Sequence, residues 1–282
     1  MIVFLNGKFV AEAEARVSVF DRGFLYGDSV FETVRVRQGR CLRWRRHLDR
    51  FQHGAAVLGL PVPYSPAQLA AYAAELLAAN GRDDAILRIT LSRGVGPRGY
   101  SPAGAGPATV VMSLHPAPAV EPRPLWRVVT ASLRLPVGDP LAQIKSGNKL
   151  RHVLARAEAD AAGADEALLL NDRGHAASLS SGNLFCIKGV RVLTPPLSAG
   201  VLPGITRGAV LELCPRMELE VVEEPLQPLD LLQADGVFAT STSRGVVEIV
   251  ALDHAILSRS EVTARLQDAL AQPFADELEH GT

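Results

Sequence analysis

Residues Pro116–Pro124 read PAPAVEPRP, with four prolines in nine positions. Proline supplies no N–H to a helix or a sheet ladder, so this stretch connects elements and does not form one. It divides the 282-residue chain into two domains of ordinary size. The expected boundaries are a small domain over 1–118, a linker over 119–124 and a larger domain over 125–282.

On the N-terminal side, IVFLNGKFV places Asn6-Gly7 between two apolar runs, the strongest short hairpin signal. VFETVRVRQGRCLRW repeats the design around Gln38-Gly39. RHLDRFQHGAAVLGL sets Leu48, Phe51, Ala55 and Leu58 on one helical face and is stopped by Pro61 and Pro63. A second helix opens with Ser65 as N-cap and Pro66 at its first position, and ends at Gly81. AILRITLSRG and ATVVMSLH read as strands of one sheet, joined by a long Gly-rich loop that carries Arg98 and Tyr100.

On the C-terminal side, LWRVVTASL is a strand and IKSGNKL (Ile144–Leu150) leads into a helix with Leu150, Val153, Leu154, Ala157 and Ala161 on one face. EALLL, NLFCI and VRVLT are strands, LPGITRGAVLELC is a turn entering a helix, and GVFATSTSRGVVEIV is strand, hydroxyl-rich loop, strand. Hairpins mixed with single helices indicate an α+β (irregular α/β) protein, not a regular doubly wound sheet.

Apolar residues make up 48% and charged residues 21%, enough for a sizeable core, and the net charge is −1. That balance carries no electrostatic footprint for nucleic acid or an anionic membrane. The expected partner is a small molecule or another protein. Cys41, Cys186 and Cys214 are far apart and show no metal-ligand spacing, so they read as buried reduced thiols, with no metal site. The N-terminus lacks a signal-peptide pattern and no run of 18 apolar residues occurs, so a soluble, cytoplasmic protein is expected.

Two lysines, Lys145 and Lys149, compete as nucleophiles. Lys145 falls where an expected strand ends, and Ser146, Gly147 and Asn148 are turn and cap residues that would expose it beside a helix N-terminus. Lys149 falls in the expected first helical turn and reads as a solvated charge. On residue type alone Lys145 would be read the same way. LPGIT (Leu202–Thr206) puts a glycine turn before a helix, with backbone N–H groups at Ile205 and Thr206 and a hydroxyl beside them, as a phosphate monoester requires. TSTS (Thr240–Ser243) offers hydroxyls at a strand end, and Arg50 is a charge within an amphipathic helix. Taken singly, each of these is also what a polar loop or a solvent face looks like.

In order and spacing, DRGFLYGDSVFETVRV (Asp21–Val36), HLDRF (His47–Phe51), IKSGN, ADEALLLNDRG, SSGNLF, LPGITR and TSTSRGVV resemble the fold type IV pyridoxal-phosphate enzymes, the aminotransferase class IV family. That family includes branched-chain and D-amino acid aminotransferases and 4-amino-4-deoxychorismate lyase. The resemblance covers nearly the whole chain. It implies pyridoxal 5′-phosphate as cofactor and Lys145 as the Schiff-base lysine that also moves the substrate's proton. It further implies Arg50, Ile205, Thr206 and Thr242 around the cofactor phosphate, and Arg98 and Tyr100 for the substrate carboxylate. In the family that loop reaches the partner subunit's site, which implies a homodimer. Phe31 stands where D-amino acid aminotransferases carry a tyrosine, and it would line the pocket without donating a hydrogen bond.

Two positions depart from the pattern. Ser178 stands five residues before Asn183, where the family has the glutamate that pairs with the pyridine nitrogen. Glu166, His175 or a residue shifted in register are the substitutes to consider. Glu248 stands where the family has proline. The loop SRGVGPRGYSP (Ser92–Pro102) resembles the lyase version more than the branched-chain one. An elimination that gains aromaticity tolerates a weak electron sink. The leading expectation is therefore an aminodeoxychorismate lyase acting on a small amino substrate. A D- or branched-chain transaminase is second, and a degenerate, non-catalytic cofactor-binding protein third.

Overall fold

The computed structural model describes residues 1–119 and 121–271. They divide into two compact units. One is Met1–Pro118 together with Ile144–Asn148, and the other holds the rest of the described residues.

The first unit runs β1 (Ile2–Leu5), β2 (Lys8–Ala11), α1 (Arg22–Tyr26), β3 (Ser29–Arg37), β4 (Arg40–Cys41), α2 (Trp44–Val57), α3 (Pro66–Ala79), β5 (Ala85–Ser92) and β6 (Thr109–His115). Its strands form one antiparallel sheet in the order β2-β1-β6-β5-β3-β4. Both expected hairpin turns form, with positive φ at Asn6 (50°), Gly7 (86°), Gln38 (49°) and Gly39 (72°), as two-residue primed turns require. Helix α3 begins on a Ser65–Gln68 capping box with Pro66 at the first position.

Period-2 alternation sorts β3 and β5 into two faces. Val30, Val34 and Val36 with Leu87, Ile89 and Leu91 join Leu48, Phe51 and Leu76 of the helices in the core. Phe31, Thr33 and Arg35, with Arg88 and Thr90 opposite them, lie on the other face. Glu32 is the polar residue on the core face. β4 pairs only with Val36 and Arg37 of β3. The open edge ahead of it takes Ile144–Asn148: Phe31 N donates to Lys145 O (2.9 Å), Gly147 N donates to Ser29 O (2.8 Å), and Ser146 bridges Val30.

The second unit runs β7 (Leu125–Leu135), α4 (Leu150–Ala161), β8 (Glu166–Asn171), β9 (Ala176–Leu179), β10 (Asn183–Lys188), β11 (Arg191–Thr194), α5 (Ile205–Arg216), β12 (Glu220–Glu223), α6 (Pro228–Leu232), β13 (Gly236–Ser241), β14 (Gly245–Leu252), β15 (Ala255–Ile256) and α7 (Glu261–Ala271). Strands β10-β13-β14-β7-β8-β9 pair in sequence, and β9 pairs again with β10, closing a six-stranded barrel. The closing register is the single pair Asn183↔Ser178. The β7–β8, β7–β14 and β11–β12 pairs are parallel and the others antiparallel, so the fold is α+β.

Three expectations need correction. No strand ends at Lys145; its segment is an extended edge piece with one bridge residue, because it borrows β3 of the first unit as its partner. Lys149 is the N-cap of α4, one residue ahead of its first turn. The apolar face of α4 does not supply its core contact but is turned outward, with Leu150 77%, Val153 59% and Leu154 53% exposed. The buried face is Ala155 and Ala159, which cluster with Ala131, Ala167 and Leu169 of the sheet, because small side chains let the helix lie close to it.

Glu248, the departure from proline, is structural. Its buried carboxylate accepts from Arg259 Nε (2.9 Å) and from Ser260 N (3.0 Å), at the residue just ahead of α7.

Candidate active site

Each unit carries a polar cluster that its core cannot account for. In the first, Glu32 is fully buried and accepts four bonds: Arg50 Nε at 2.7 Å, Arg50 Nη2 at 2.8 Å, His47 Nδ1 at 2.7 Å and, more weakly, Thr33 N at 3.3 Å. A buried carboxylate persists only when paired and hydrogen-bonded. Burial pushes its pKa up, but the bonds and charges of His47 and Arg50 overcome this and hold it at about 2. Burial pushes His47 down, against the pull of Glu32, and the charges of Arg50 and Lys145 push it the same way. His47 is therefore the neutral tautomer that donates Nδ1–H to Glu32. Arg50 is held by a two-point fork, which fixes the plane of its guanidinium.

On the opposite sheet face, Lys145 Nζ lies 4.6 Å from the centroid of the Phe31 ring, and Arg88 Cζ lies 3.9 Å from it. Two cations thus share one aromatic ring. Lys145 is half-buried and its main chain is pinned to β3. The pinning demands glycine at 147, where a Cβ would collide with Ser29 Oγ. Gly54 allows α2 to approach, since a Cβ there would sit 3.3 Å from Val30 Cγ1 and 3.6 Å from Ile144 Cβ. Arg98 and Tyr100 stand exposed on the loop after β5.

In the second unit, Ser178, Asn183 and Thr240 form one row across β9, β10 and β13. Ser178 Oγ lies 3.0 Å from both Leu179 O and Gly182 O, which share its one proton. Asn183 Nδ2 donates to Leu202 O (3.0 Å), and its Oδ1 fills the space a Cβ on Gly204 would need. Asn183 therefore fixes the LPGIT turn and imposes the glycine. Gly204 is the N-cap of α5 and offers no side-chain cap, so the N–H groups of Ile205 and Thr206 are uncapped by any side chain. Thr240 Oγ1 is buried with no hydrogen-bond partner. Uncapped first-turn donors and an orphaned hydroxyl fit a phosphate group. Thr242 lies half-buried in the same hydroxyl-rich loop.

Of the substitutes for Ser178, Glu166 is committed elsewhere. Glu166 is fully buried, its two oxygens take the hydroxyls of Ser180 and Ser181, and Ala167 N donates to it at 2.8 Å. His175 pairs through its backbone with Asn171.

Sequence reasoning singled out Lys145, Phe31 and Arg50, and missed Glu32, His47 and Arg88 in the same unit. The available signal was a charge inside each of two strand patterns, VFETV and ILRIT. No role for Asn183 follows from its sequence context alone.

The sequence profile of the amino-transferase class IV family matches residues 29–252. A "Putative branched-chain-amino-acid aminotransferase" of Methanocaldococcus jannaschii is 37% identical over 277 residues, covering 98% of this chain and 96% of that one. The D-alanine aminotransferase of Bacillus licheniformis is 31% identical over 284 residues, covering 98% of each. A solved "Putative 4-amino-4-deoxychorismate lyase" of Legionella pneumophila superposes with a TM-score of 0.87 at 27% identity, covering 93% of this chain and 97% of that one. Solved structures similar to the chain include complexes with pyridoxal phosphate derivatives.

Proposed function

Because the chain belongs to the class IV aminotransferase family, enzymes that depend on pyridoxal 5′-phosphate, we propose that it transfers the amino group of a carboxylate-bearing amino acid. The observation that carries this reading is a lysine pinned to β3 over an aromatic ring, in a chain that matches aminotransferases along nearly its full length. When bound, the cofactor supplies an aldehyde that takes up the amine and a ring that draws electrons from the α-carbon. Lys145 Nζ would hold the cofactor between turnovers and would carry the proton to and from the substrate's α-carbon. In the second unit Ile205 N–H, Thr206 and Thr242 would hold the phosphate; in the first, the Glu32-braced Arg50 would offer a fixed guanidinium to an anion. Phe31 lines the pocket, and Arg88 beside it provides a cation for substrate charge. Arg98 and Tyr100 take the carboxylate.

Both units expose apolar surface: Leu150, Val153 and Leu154 on α4, and Val17, Val19, Phe20 and Phe24 on and before α1. Surface of this kind marks an interface, and we infer a homodimer.

A second reading, pyruvate elimination from aminodeoxychorismate, is favoured by the loop Ser92–Pro102 and by Ser178. A neutral hydroxyl, with Glu166 committed elsewhere, leaves the ring nitrogen without a carboxylate partner and weakens the ring's pull on electrons. The test has two arms. Borohydride treatment of the holoenzyme should fix the cofactor on Lys145, and Lys145→Ala should abolish fixation. Pyruvate and 2-oxoglutarate with a panel of D- and L-amino acids, beside aminodeoxychorismate alone, then separate the readings. Steady transfer supports the first, and elimination without transfer replaces it with the second.

A further inference from the structure

The loop from Arg93 to Pro107 should be loose. It is exposed over most of its length, and Gly94, Gly99 and Gly104 all adopt positive φ (81°, 111° and 73°). A buried residue of α1 holds it instead. Arg22, only 3% exposed, donates through Nη1 to Gly99 O (2.8 Å) and Pro97 O (3.4 Å), and through Nη2 to Tyr100 O (3.2 Å). Its Nε is paired with Asp28 (3.1 Å), and its Cζ lies 4.9 Å from the centroid of the Tyr26 ring. Tyr26 Oη accepts from Gly99 N (3.1 Å), and the Tyr26 and Tyr100 rings meet edge to face at 5.7 Å. Gly96 makes room for the arginine, since a Cβ there would lie 2.9 Å from Arg22 Cδ.

The fastened carbonyls belong to residues 97, 99 and 100, on both sides of Arg98, whose own side chain is left in solvent. We propose that Arg22, seated on Tyr26, is a positioning residue for substrate recognition: it holds Arg98 and Tyr100 as a fixed edge that receives the substrate carboxylate. This rests on the reading of that loop given above. The arginine spreads its donors over Nε, Nη1 and Nη2 to meet Asp28 and three carbonyls, whereas a lysine's three donors radiate from one nitrogen.

The experiment uses the holoenzyme and whichever carboxylate substrate it turns over. Arg22→Lys should raise KM about tenfold with kcat within about twofold, because the lost interaction is equal in ground and transition states. In an Arg98→Ala background the same change should add less than about twofold, since it acts through Arg98. The Gly99 amide should exchange hydrogen faster in Arg22→Lys, with cofactor affinity unchanged. Tyr26→Phe, which removes the Gly99 acceptor and keeps the ring, should show a smaller effect in the same direction and stands in if Arg22→Lys does not fold. A KM unmoved in both variants while Arg98→Ala raises it, or full additivity with Arg98→Ala, overturns the role of Arg22 alone. A KM unmoved by Arg98→Ala overturns the reading of the loop and this proposal with it.

Discussion

Glu32 shows what a single buried charge costs and supports. Its carboxyl is held at about 2 by His47 and Arg50 against burial. Its contribution to stability is complete above the ordinary carboxylate range and is lost as pH falls toward 2. His47, held below its ordinary value, adds to the same trend, since the unfolded chain takes up a proton that the folded one refuses. Denaturant titrations should show Glu32→Gln less stable than the parent at neutral pH by on the order of 3 kcal/mol. The gap should narrow below about pH 4.5; a gap constant down to pH 3 would mean that Glu32 is not paired as described. At Ser178 the expectation concerns chemistry. Ser178→Glu should tighten cofactor binding and raise amino-group transfer about tenfold relative to elimination, by giving the ring nitrogen a charged partner. If neither quantity moves, another group meets that nitrogen.

At the scale of elements, the legible parts were those decided by neighbours in sequence. The turns at Asn6-Gly7 and Gln38-Gly39, the Ser65 cap and the buried stripe of α2 follow from local backbone chemistry and period. What was not legible depends on partners far along the chain. The Lys145 segment has no strand pattern of its own because β3 supplies its hydrogen bonds. The buried side of α4 could not be read from hydrophobicity, since close approach to the sheet selects Ala155 and Ala159 over Leu150 and Leu154. Glu32, His47 and Arg50 look like unrelated charges until a strand and a helix bring them together. The edge piece also makes a prediction. Gly147→Ala drives a methyl into Ser29 Oγ, and overpacking of this kind typically costs about 1–3 kcal/mol. Thermal unfolding should fall and cofactor fixation on Lys145 should drop with it; an unchanged fixation yield would show that the pinning does not aim the lysine.

For the whole molecule, light scattering should give twice the chain mass. Leu154→Glu, on the exposed face of α4, should shift the protein toward monomer without unfolding it. A monomeric parent at micromolar concentration would remove the homodimer reading. The barrel of the second unit closes through the single pair Asn183↔Ser178. The serine proposed to stand at the ring nitrogen is therefore also part of the barrel's closing seam, and Asn183 beside it braces the turn that enters α5. Evolution at this position is consequently pleiotropic. An acid placed at 178 would change the ring's proposed partner and at the same step test how well the barrel stays shut.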